Sequence, residues 1–143
     1  MIAIAIAVTL TACGSSSSPE QKRSVAVRIN GAEVRAELAE GEPARERGLS
    51  GRAGLAEGRG MLFVYGDHIE RTYWMKGMRF PIDIVWIDRG RVTGIERNLP
   101  VPQGHVPLYS SRGPADRVLE VPAGWTGRHG VEPGDQVSIG KGG

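Results

Sequence analysis

Two acidic residues, Asp83 and Glu120, lie in sequence settings that could support acid–base chemistry. Asp83 lies in the run Ile-Asp-Ile-Val-Trp-Ile-Asp over residues 82–88, and Glu120 lies in Val-Leu-Glu-Val over residues 118–121. An ionised carboxylate on a strand with apolar faces is costly unless it is paired. Because carboxylates in different environments can have separated pKa values, Asp83 and Glu120 form a candidate acid–base couple for an envelope hydrolase acting on a substrate such as a glycan.

Each of the two carboxylates also has a structural interpretation. Asp83 could form an ion pair or cap the backbone at the start of its strand, and the sequence favours this structural role. Glu120 could pair with an arginine, and the sequence gives no distance between the two carboxylates. The hydrolase therefore stays an alternative, and whether the protein is an enzyme stays open. The candidate ion-pair partners are Lys76, Arg79 and Arg52 for Asp83, and Arg47 and Arg52 for Glu120.

A second candidate site is the segment Trp-Met-Lys-Gly-Met over residues 74–78. In a regular strand Trp74 and Lys76 share one face. An aromatic ring beside a cation could line a groove and stack on a sugar or a peptide side chain. Alternatively, Trp74, Met75 and Met78 fill the core. The groove is expected near Trp74, Lys76 and Asp83, and the candidate ligand-binding residues are Trp74, Lys76, Asp83, Glu120 and Arg52.

Other chemistries find little support in the sequence. His68, His105 and His129 are scattered and lack the ligand spacings of zinc sites, so no metal is expected. A site that joins His68 to Asp67 across strands stays open. The chain has neither a Gly-x-Ser-x-Gly elbow nor a phosphate-binding glycine loop, and no cofactor is expected. A formal net charge of only +2 predicts no nucleic-acid partner.

Cys13 is the single cysteine of the 143-residue chain. Residues 10–13, Leu-Thr-Ala-Cys, resemble a bacterial lipobox, and the uncharged stretch before them has the length of a secretory signal's apolar region. The resemblance implies a signal peptide at residues 1–12, lipid on the Cys13 thiol, and a serine-rich tether over residues 13–24. Gly14 implies the periplasmic face of the outer membrane, if the organism has one. No Lys or Arg precedes Cys13, which departs from the signal pattern, and the alternative is a terminal strand or helix with a buried cysteine.

Residues 25–140 are expected to form one β-rich domain. Asn30-Gly31 between two alternating runs predicts a hairpin, and Pro43 suits the first turn of a short helix near residues 43–52. About seven or eight short strands with closely spaced turns predict a compact antiparallel β-sandwich or barrel-like domain. Further strands are predicted at residues 61–65, 71–76, 82–88, 91–97, 118–121 and 136–139.

Five ordered blocks of the sequence resemble the bacterial and archaeal family catalogued as domain of unknown function number 192. They are Glu-Arg-Gly-Leu-Ser-Gly-Arg (46–52), Gly-Met-Leu-Phe-Val (60–64), Trp-Met-Lys-Gly-Met (74–78), Phe-Pro-Ile-Asp-Ile-Val-Trp-Ile-Asp (80–88) and Val-Leu-Glu-Val-Pro-Ala-Gly-Trp (118–125). The resemblance implies a mostly antiparallel β fold with one short helix, and no established activity or catalytic residue. The sequence therefore favours a lipid-anchored envelope domain that binds a ligand or a protein partner.

Overall fold

The computed structural model of the protein describes residues 22–141, so the expected signal peptide, Cys13 and most of the tether lie outside the described residues. Within them no helix is long and apolar enough to cross a membrane. The elements are β1 (Ser24–Ile29), β2 (Ala32–Ala39), α1 (Glu42–Arg47), β3 (Arg59–Trp74), β4 (Ile82–Asp88), β5 (Arg91–Leu99), β6 (Leu108–Pro122), α2 (Trp125–Arg128) and β7 (Val137–Ile139).

The strands form one seven-stranded sheet in the order β5-β4-β6-β3-β2-β1-β7. Only β2 and β3 run parallel, and the chain between them carries α1, because parallel neighbours need a crossover connection. The two edge strands approach each other where Arg91 bridges Gln136, and the Val92 N–H donates to the Asp135 carbonyl at 2.9 Å. The sheet is therefore a curled half-barrel, which confirms the predicted barrel-like β fold.

The hairpin and the central strand follow directly from local sequence. Asn30 and Gly31 have φ values of 50° and 76°, the left-handed conformation that a two-residue hairpin turn requires. The turn sets the antiparallel register of β1 and β2, in which Val27 is opposite Val34. β4 has the predicted bounds of 82–88, because its apolar residues are buried on both faces of the sheet.

The core divides into two clusters, one on each side of the sheet. The inner face is enclosed by the curl and includes Val27, Val34, Leu62, Val85 and Leu119. The outer face is covered by α1 and by the segments that follow α1 and β3. Its apolar residues include Met61, Phe63, Met75, Met78, Ile82, Ile84, Trp86 and Val118, together with Leu49 from the covering segment.

Two strand predictions were wrong in extent. Residues 61–65 and 71–76 were expected to form separate strands, whereas β3 is one strand of 16 residues with register shifts between Val64 and Ile69 and between Glu70 and Thr72. β6 extends from residue 108 rather than 118. The polar first half of β6 pairs with the second half of β3, and this pairing makes it a strand although its composition did not predict one. α1 ends at residue 47, earlier than expected, and α2 adds one short helix.

Candidate functional site

A cavity of about 910 Å³ lies between α1 and the outer face of β3. Gly48 ends α1 with a φ of 48°, and a Cβ there would lie 3.3 Å from the Phe63 ring. The glycine therefore lets the chain turn closely over β3, so that Leu49 packs on the outer face. The lining is Glu42, Arg45–Ser50, Phe63, Tyr65, Gly66, Asp67, Arg71–Trp74, Met78 and Glu120.

Glu120 is the buried acid of this cavity. Its residue is 6% exposed, and the side-chain atom Oε2 has no hydrogen-bond partner among the described residues. Burial raises the pKa of Glu120 to about 8, because a carboxylate loses its hydration there, while the positive charge of Arg52 acts in the opposite direction. At neutral pH Glu120 is therefore mostly a protonated carboxyl group, able to donate one hydrogen bond.

A pair of tyrosine hydroxyls lies on the same cavity wall. The Tyr65 and Tyr73 hydroxyl oxygens are 2.6 Å apart. The Tyr73 ring packs edge-to-face against Phe63 and Trp86, with centroid distances of 5.2 and 5.4 Å. Burial raises the pKa of Tyr73, and the neighbouring Tyr65 and Glu120 raise it further. One hydroxyl of the pair must donate to the other, which leaves one O–H proton available to a ligand.

Two arginines pack against the Tyr65 ring. The Arg71 guanidinium lies 3.8 Å and the Arg45 guanidinium 4.9 Å from the ring centroid. Arg71 Nε donates to the Ala115 carbonyl at 2.9 Å, and Nη2 bonds to the Asp67 backbone and carboxylate. The Arg71 side chain is only 10% exposed, so the wall contains a fixed, nearly buried cation.

Of the residues expected near a groove, Trp74 lines this cavity and Lys76 lies beside the Trp74 ring. Trp74 lines the cavity and is 56% exposed, and the Lys76 ammonium lies 5.1 Å from the centre of its ring. Met75 is buried, whereas Met78 both packs in the outer core and lines the cavity. The Trp74 indole is therefore exposed and does not fill the core.

Asp83 lies elsewhere, on the inner face. Its Oδ1 accepts from the backbone N–H groups of Asn98 at 2.8 Å and Gly124 at 2.9 Å. Its Oδ2 accepts from Thr126, from the N–H at 3.0 Å and from the hydroxyl at 2.6 Å. Asp83 is fully buried and ties the end of β5 to the start of α2. This is the backbone-capping role that the sequence favoured, and Asp83 does not line the cavity.

The structure does not bring Asp83 and Glu120 together as an acid–base couple. In the pairing of β4 with β6, Asp83 is opposite Val121 and Ile84 is opposite Glu120. Directly opposed residues share a face and successive residues alternate, so the two carboxyl groups point to opposite sides of the sheet. The common two-carboxylate hydrolase sites need both groups at one cleft, and the predicted hydrolase couple is therefore corrected.

Arg52 lies outside the cavity. Its two terminal nitrogens each donate to one oxygen of Glu37, both at 2.8 Å. Lys22 reaches the same carboxylate at 3.5 Å. This bidentate pair holds the guanidinium in a second, smaller depression, so Arg52 influences the pKa of Glu120 by its charge without an ion-pair contact.

His68 lies beside Asp88 and Asp116, in a group that does not include Asp67. One potential ligand atom each from His68, Asp88 and Asp116 lies within 4.8 Å of the others. His68 Nδ1 is 2.7 Å from Asp88 Oδ1, and Arg117 Nη1 is 3.3 Å from Asp116 Oδ2. Each of the three side chains therefore already has a protein partner for at least one atom.

A family profile described as "Uncharacterized ACR", DUF192, matches residues 25–139 of the chain. The chain belongs to the DUF192 family. The sequence resemblance is thereby confirmed, and with it the β fold. No curated protein matches this DUF192 chain.

Two solved structures are similar to this DUF192 domain. A Sinorhizobium meliloti protein, provisionally described as a transcription regulator, is 33% identical with a TM-score of 0.76, and the match covers 82% of this chain and 95% of that one. A Novosphingobium aromaticivorans protein of unknown function is 29% identical with a TM-score of 0.71, over 81% of this chain and 83% of that one.

Several cavity residues of the DUF192 domain were not singled out from the sequence. Tyr65 and Tyr73 belonged to two separate predicted strands, and Arg71 was the first residue of the second. Their meeting depends on the bends of a continuous β3, which pairing with β6 imposes. The available signal was the density of aromatic residues over residues 63–74, which is weak without knowledge of the register.

Proposed function

We propose that this DUF192 domain is a ligand-binding module, and that the cavity between α1 and β3 binds one small organic molecule with an apolar portion. The observation that carries the proposal is Glu120, a buried carboxyl group with an unpartnered oxygen in an aromatic-walled cavity. A buried polar group without a partner costs about 1–3 kcal/mol. A ligand that bonds to Glu120 removes that cost.

The dimensions and composition of the cavity support this function. Small-molecule sites are clefts of about 300–1,000 Å³ with mostly apolar walls and a few placed polar groups. Here the apolar surface comes from Leu49, Phe63, Met78 and the exposed Trp74 ring, and the polar groups beside it are Glu120 and the hydroxyls of Tyr65 and Tyr73. Charged residues also line the cavity: Glu42, Arg45, Glu46, Arg47, Asp67 and Arg71. Of the ligand-binding residues expected from the sequence, the proposed site keeps Trp74 and Glu120 and leaves out Lys76, Asp83 and Arg52.

A fragment screen tests the proposed function. The ¹⁵N-labelled domain is titrated with a fragment library, and we expect hits to shift the amide signals of Tyr65, Tyr73 and Glu120. Met78→Trp should remove those shifts, because the larger ring occupies the cavity. Ile139→Ser changes an exposed residue of β7 and should leave the hits unchanged. Hits that shift only residues outside the cavity, or that survive Met78→Trp, would contradict the proposal.

The second part of the proposal concerns location. We propose that lipid on Cys13 holds the domain at the cell envelope, on the periplasmic face of the outer membrane if the organism has one. The support is the sequence alone, from the lipobox-like residues 10–13 and the serines at 15–18. Several acyl chains anchor stably, whereas a single chain binds marginally.

Detergent partitioning tests the anchor independently of the cavity. The full chain, expressed in a bacterium that processes lipoproteins, should enter the detergent phase and carry the added mass of lipid. Cys13→Ser should leave the protein in the aqueous phase with no lipid mass. Equal partitioning and equal lipid mass of the two proteins would overturn the anchor, while ligand binding could still stand.

A further inference from the structure

We infer that the ligand of this cavity is an organic acid, whose carboxylate accepts hydrogen bonds from the cavity's buried donors and whose apolar portion lies against its aromatic wall. The inference rests on the proposed function, since it names the ligand class of the same cavity. Its basis is the inventory of buried donors and acceptors.

Glu120 supplies the first donor. The cation that lowers its pKa, Arg52, has both terminal nitrogens bound to Glu37 at 2.8 Å. Among residues 22–141 no arginine forms an ion pair with the Glu120 carboxyl group. Burial without a cation favours the neutral acid, and its pKa of about 8 keeps it protonated at neutral pH. A protonated carboxyl group has one O–H to donate, and a buried one can donate to an oxyanion in an enzyme site.

Arg71 and the tyrosine pair supply further donors. Arg71 uses Nε and Nη2 for the Ala115 carbonyl and for Asp67, while Nη1 makes no hydrogen bond to the described residues. The pair of Tyr65 and Tyr73 leaves one O–H proton unused. Tyr65, Arg71, Tyr73 and Glu120 all line the cavity, and the charges of Arg71 and Glu120 both act on the pKa of Tyr73.

The formal charges of the lining balance, with Arg45, Arg47 and Arg71 against Glu42, Glu46 and Asp67. Their positions favour an anion, because the guanidinium groups of Arg45 and Arg71 lie against the Tyr65 ring while the three carboxylates belong to exposed residues. Arg71 is permanently charged and nearly buried, and Arg45 lies beside the same Tyr65 ring. The Asp67 carboxylate is already bound to Arg71. Glu42 and Glu46 also line the cavity, but they are exposed on α1, where water and salt screen their charge. A ligand ammonium group would face these guanidinium groups, whereas a carboxylate would accept charge-assisted hydrogen bonds.

Three probes with one common body test the inference: 3-phenylpropanoate, 3-phenylpropylamine and 3-phenylpropan-1-ol. Binding to the described domain is measured by calorimetry and by amide shifts of Tyr73 and Glu120. We expect the carboxylate to bind at least about 10-fold more tightly than the amine or the alcohol at pH 6.5, because only the anion matches the donors.

The pH profile isolates the role of Glu120. As pH rises from 7 to 9.5, Glu120 loses its proton and its charge repels the carboxylate, so affinity should fall about 10-fold. The Arg52 charge lowers the pKa of Glu120, and Glu120 in turn raises the pKa of Tyr73. The other charged residues at the cavity are Glu42, Arg45, Glu46, Arg47, Asp67 and Arg71. Arginine, aspartate and glutamate side chains do not ordinarily titrate between pH 7 and 9.5.

Two variants separate a ligand contact from a structural effect. Glu120→Gln keeps an N–H donor, so it should retain affinity at pH 7 within about 3-fold and lose the decline with pH. Arg71→Lys should lower the affinity for the carboxylate probe by about 10-fold and leave the affinity for the alcohol probe unchanged. The control is Arg112→Gln, since Arg112 is an exposed residue of β6 outside the cavity. This substitution should change neither the affinity for the carboxylate nor the affinity for the alcohol.

The outcomes distinguish this inference from the proposed function. Tighter binding of the amine or the alcohol overturns the organic-acid assignment, while the ligand-binding function stands. If all three probes fail to bind while library fragments do bind in the cavity, the organic-acid assignment is likewise overturned and the ligand-binding function stands. A carboxylate affinity that stays constant to pH 9.5, or a decline that persists in Glu120→Gln, overturns the role of Glu120. If neither fragments nor probes reach the cavity, both proposals are overturned.

Discussion

Asp83 and Glu120 are buried acids on neighbouring strands, and they differ in how many hydrogen-bond partners the fold provides. On the inner face, Asp83 accepts four hydrogen bonds, from Asn98, Gly124 and twice from Thr126. On the outer face, Glu120 has an oxygen without a partner and empty space beside it. Both oxygens of Asp83 are therefore hydrogen-bonded within the fold, whereas one oxygen of Glu120 is not.

The comparison separates a structural acid from a candidate functional one. A buried polar group that has all its partners stabilises one arrangement of the backbone, whereas one that lacks them carries a desolvation cost that the fold must offset elsewhere. Unsatisfied buried groups are few in native proteins, and each needs a physical explanation. For Glu120 the adjacent cavity provides that explanation, because a ligand bound there can supply the missing hydrogen bond.

Removal of the Asp83 carboxylate should have the largest effect on stability. Asp83→Ala leaves three backbone N–H groups and the Thr126 hydroxyl buried without their acceptor. We expect the free energy of unfolding to fall by about 3–5 kcal/mol, measured by urea denaturation. Binding of cavity ligands by the folded fraction should persist, because Asp83 lies on the other face.

The matched control is the hydroxyl partner of Asp83. Thr126→Val keeps the shape of the side chain and removes one of the four bonds, so it should cost only about 1–2 kcal/mol. A loss below about 1 kcal/mol for Asp83→Ala would contradict the assignment of Asp83 as the tie between β5 and α2.

Glu120→Gln should change how stability depends on pH. The pKa of Glu120 is raised in the folded protein from 4.5 to about 8, so the folded state holds a proton that the unfolded state releases. The stability from this group is fully present below pH 4.5 and is lost as pH rises through 8. Between those values the free energy of unfolding falls by about 1.4 kcal/mol per pH unit through this group.

Glutamine cannot titrate, so Glu120→Gln should lack that decline and become more stable than the wild type at pH 9. Urea denaturation of both proteins at pH 5, 7 and 9 measures the difference. Parallel pH profiles for the two proteins would show that Glu120 titrates as an ordinary exposed acid, and the contrast with Asp83 would fail.

The sequence predicted elements wherever local chemistry determines them. The Asn30-Gly31 turn and the apolar run at 82–88 needed no tertiary information, since turn geometry and burial on both faces are local properties. The first half of β6 could not be predicted, because its serine, arginine, glycine and proline residues form a strand only through pairing with β3.

The candidate site depended on information that the sequence lacks. Alternation shows that Asp83 and Ile84 face opposite sides of β4, but only the register with β6 shows which of them shares a face with Glu120. Trp74 lines the cavity, but that it binds a ligand there stays a prediction. Tyr65 and Arg71 required the shape of β3, which the register shifts determine.

Removal of the Tyr65 hydroxyl on the outer face should lower stability by less than removal of the Asp83 carboxylate. Tyr65→Phe leaves the Tyr73 hydroxyl without its partner at 2.6 Å, so the free energy of unfolding should fall by about 1 kcal/mol. The pKa of Tyr73 should also move down, since Tyr65 contributes to its rise. Urea denaturation measures the first effect, and tyrosinate absorbance at high pH the second. An unchanged stability would mean that the hydroxyls do not depend on each other.

The smallest effect should come from Arg52, which connects the cavity acid to the surface. Arg52→Met removes a partly exposed pair with Glu37, which contributes about 0–1 kcal/mol. It also removes the positive charge that lowers the pKa of Glu120, so that pKa should rise above 8. Carbon-13 NMR titration of the Glu120 carboxyl group measures the change, and Arg35→Met, an exposed arginine of β2, is the control. A downward shift would mean that Glu120 draws its proton affinity from contacts other than burial. An upward shift would show that the Arg52 charge only partly offsets the rise in pKa that burial causes. Asp83 differs from Glu120 because three backbone N–H groups and the Thr126 hydroxyl replace the water that its carboxyl group loses on burial.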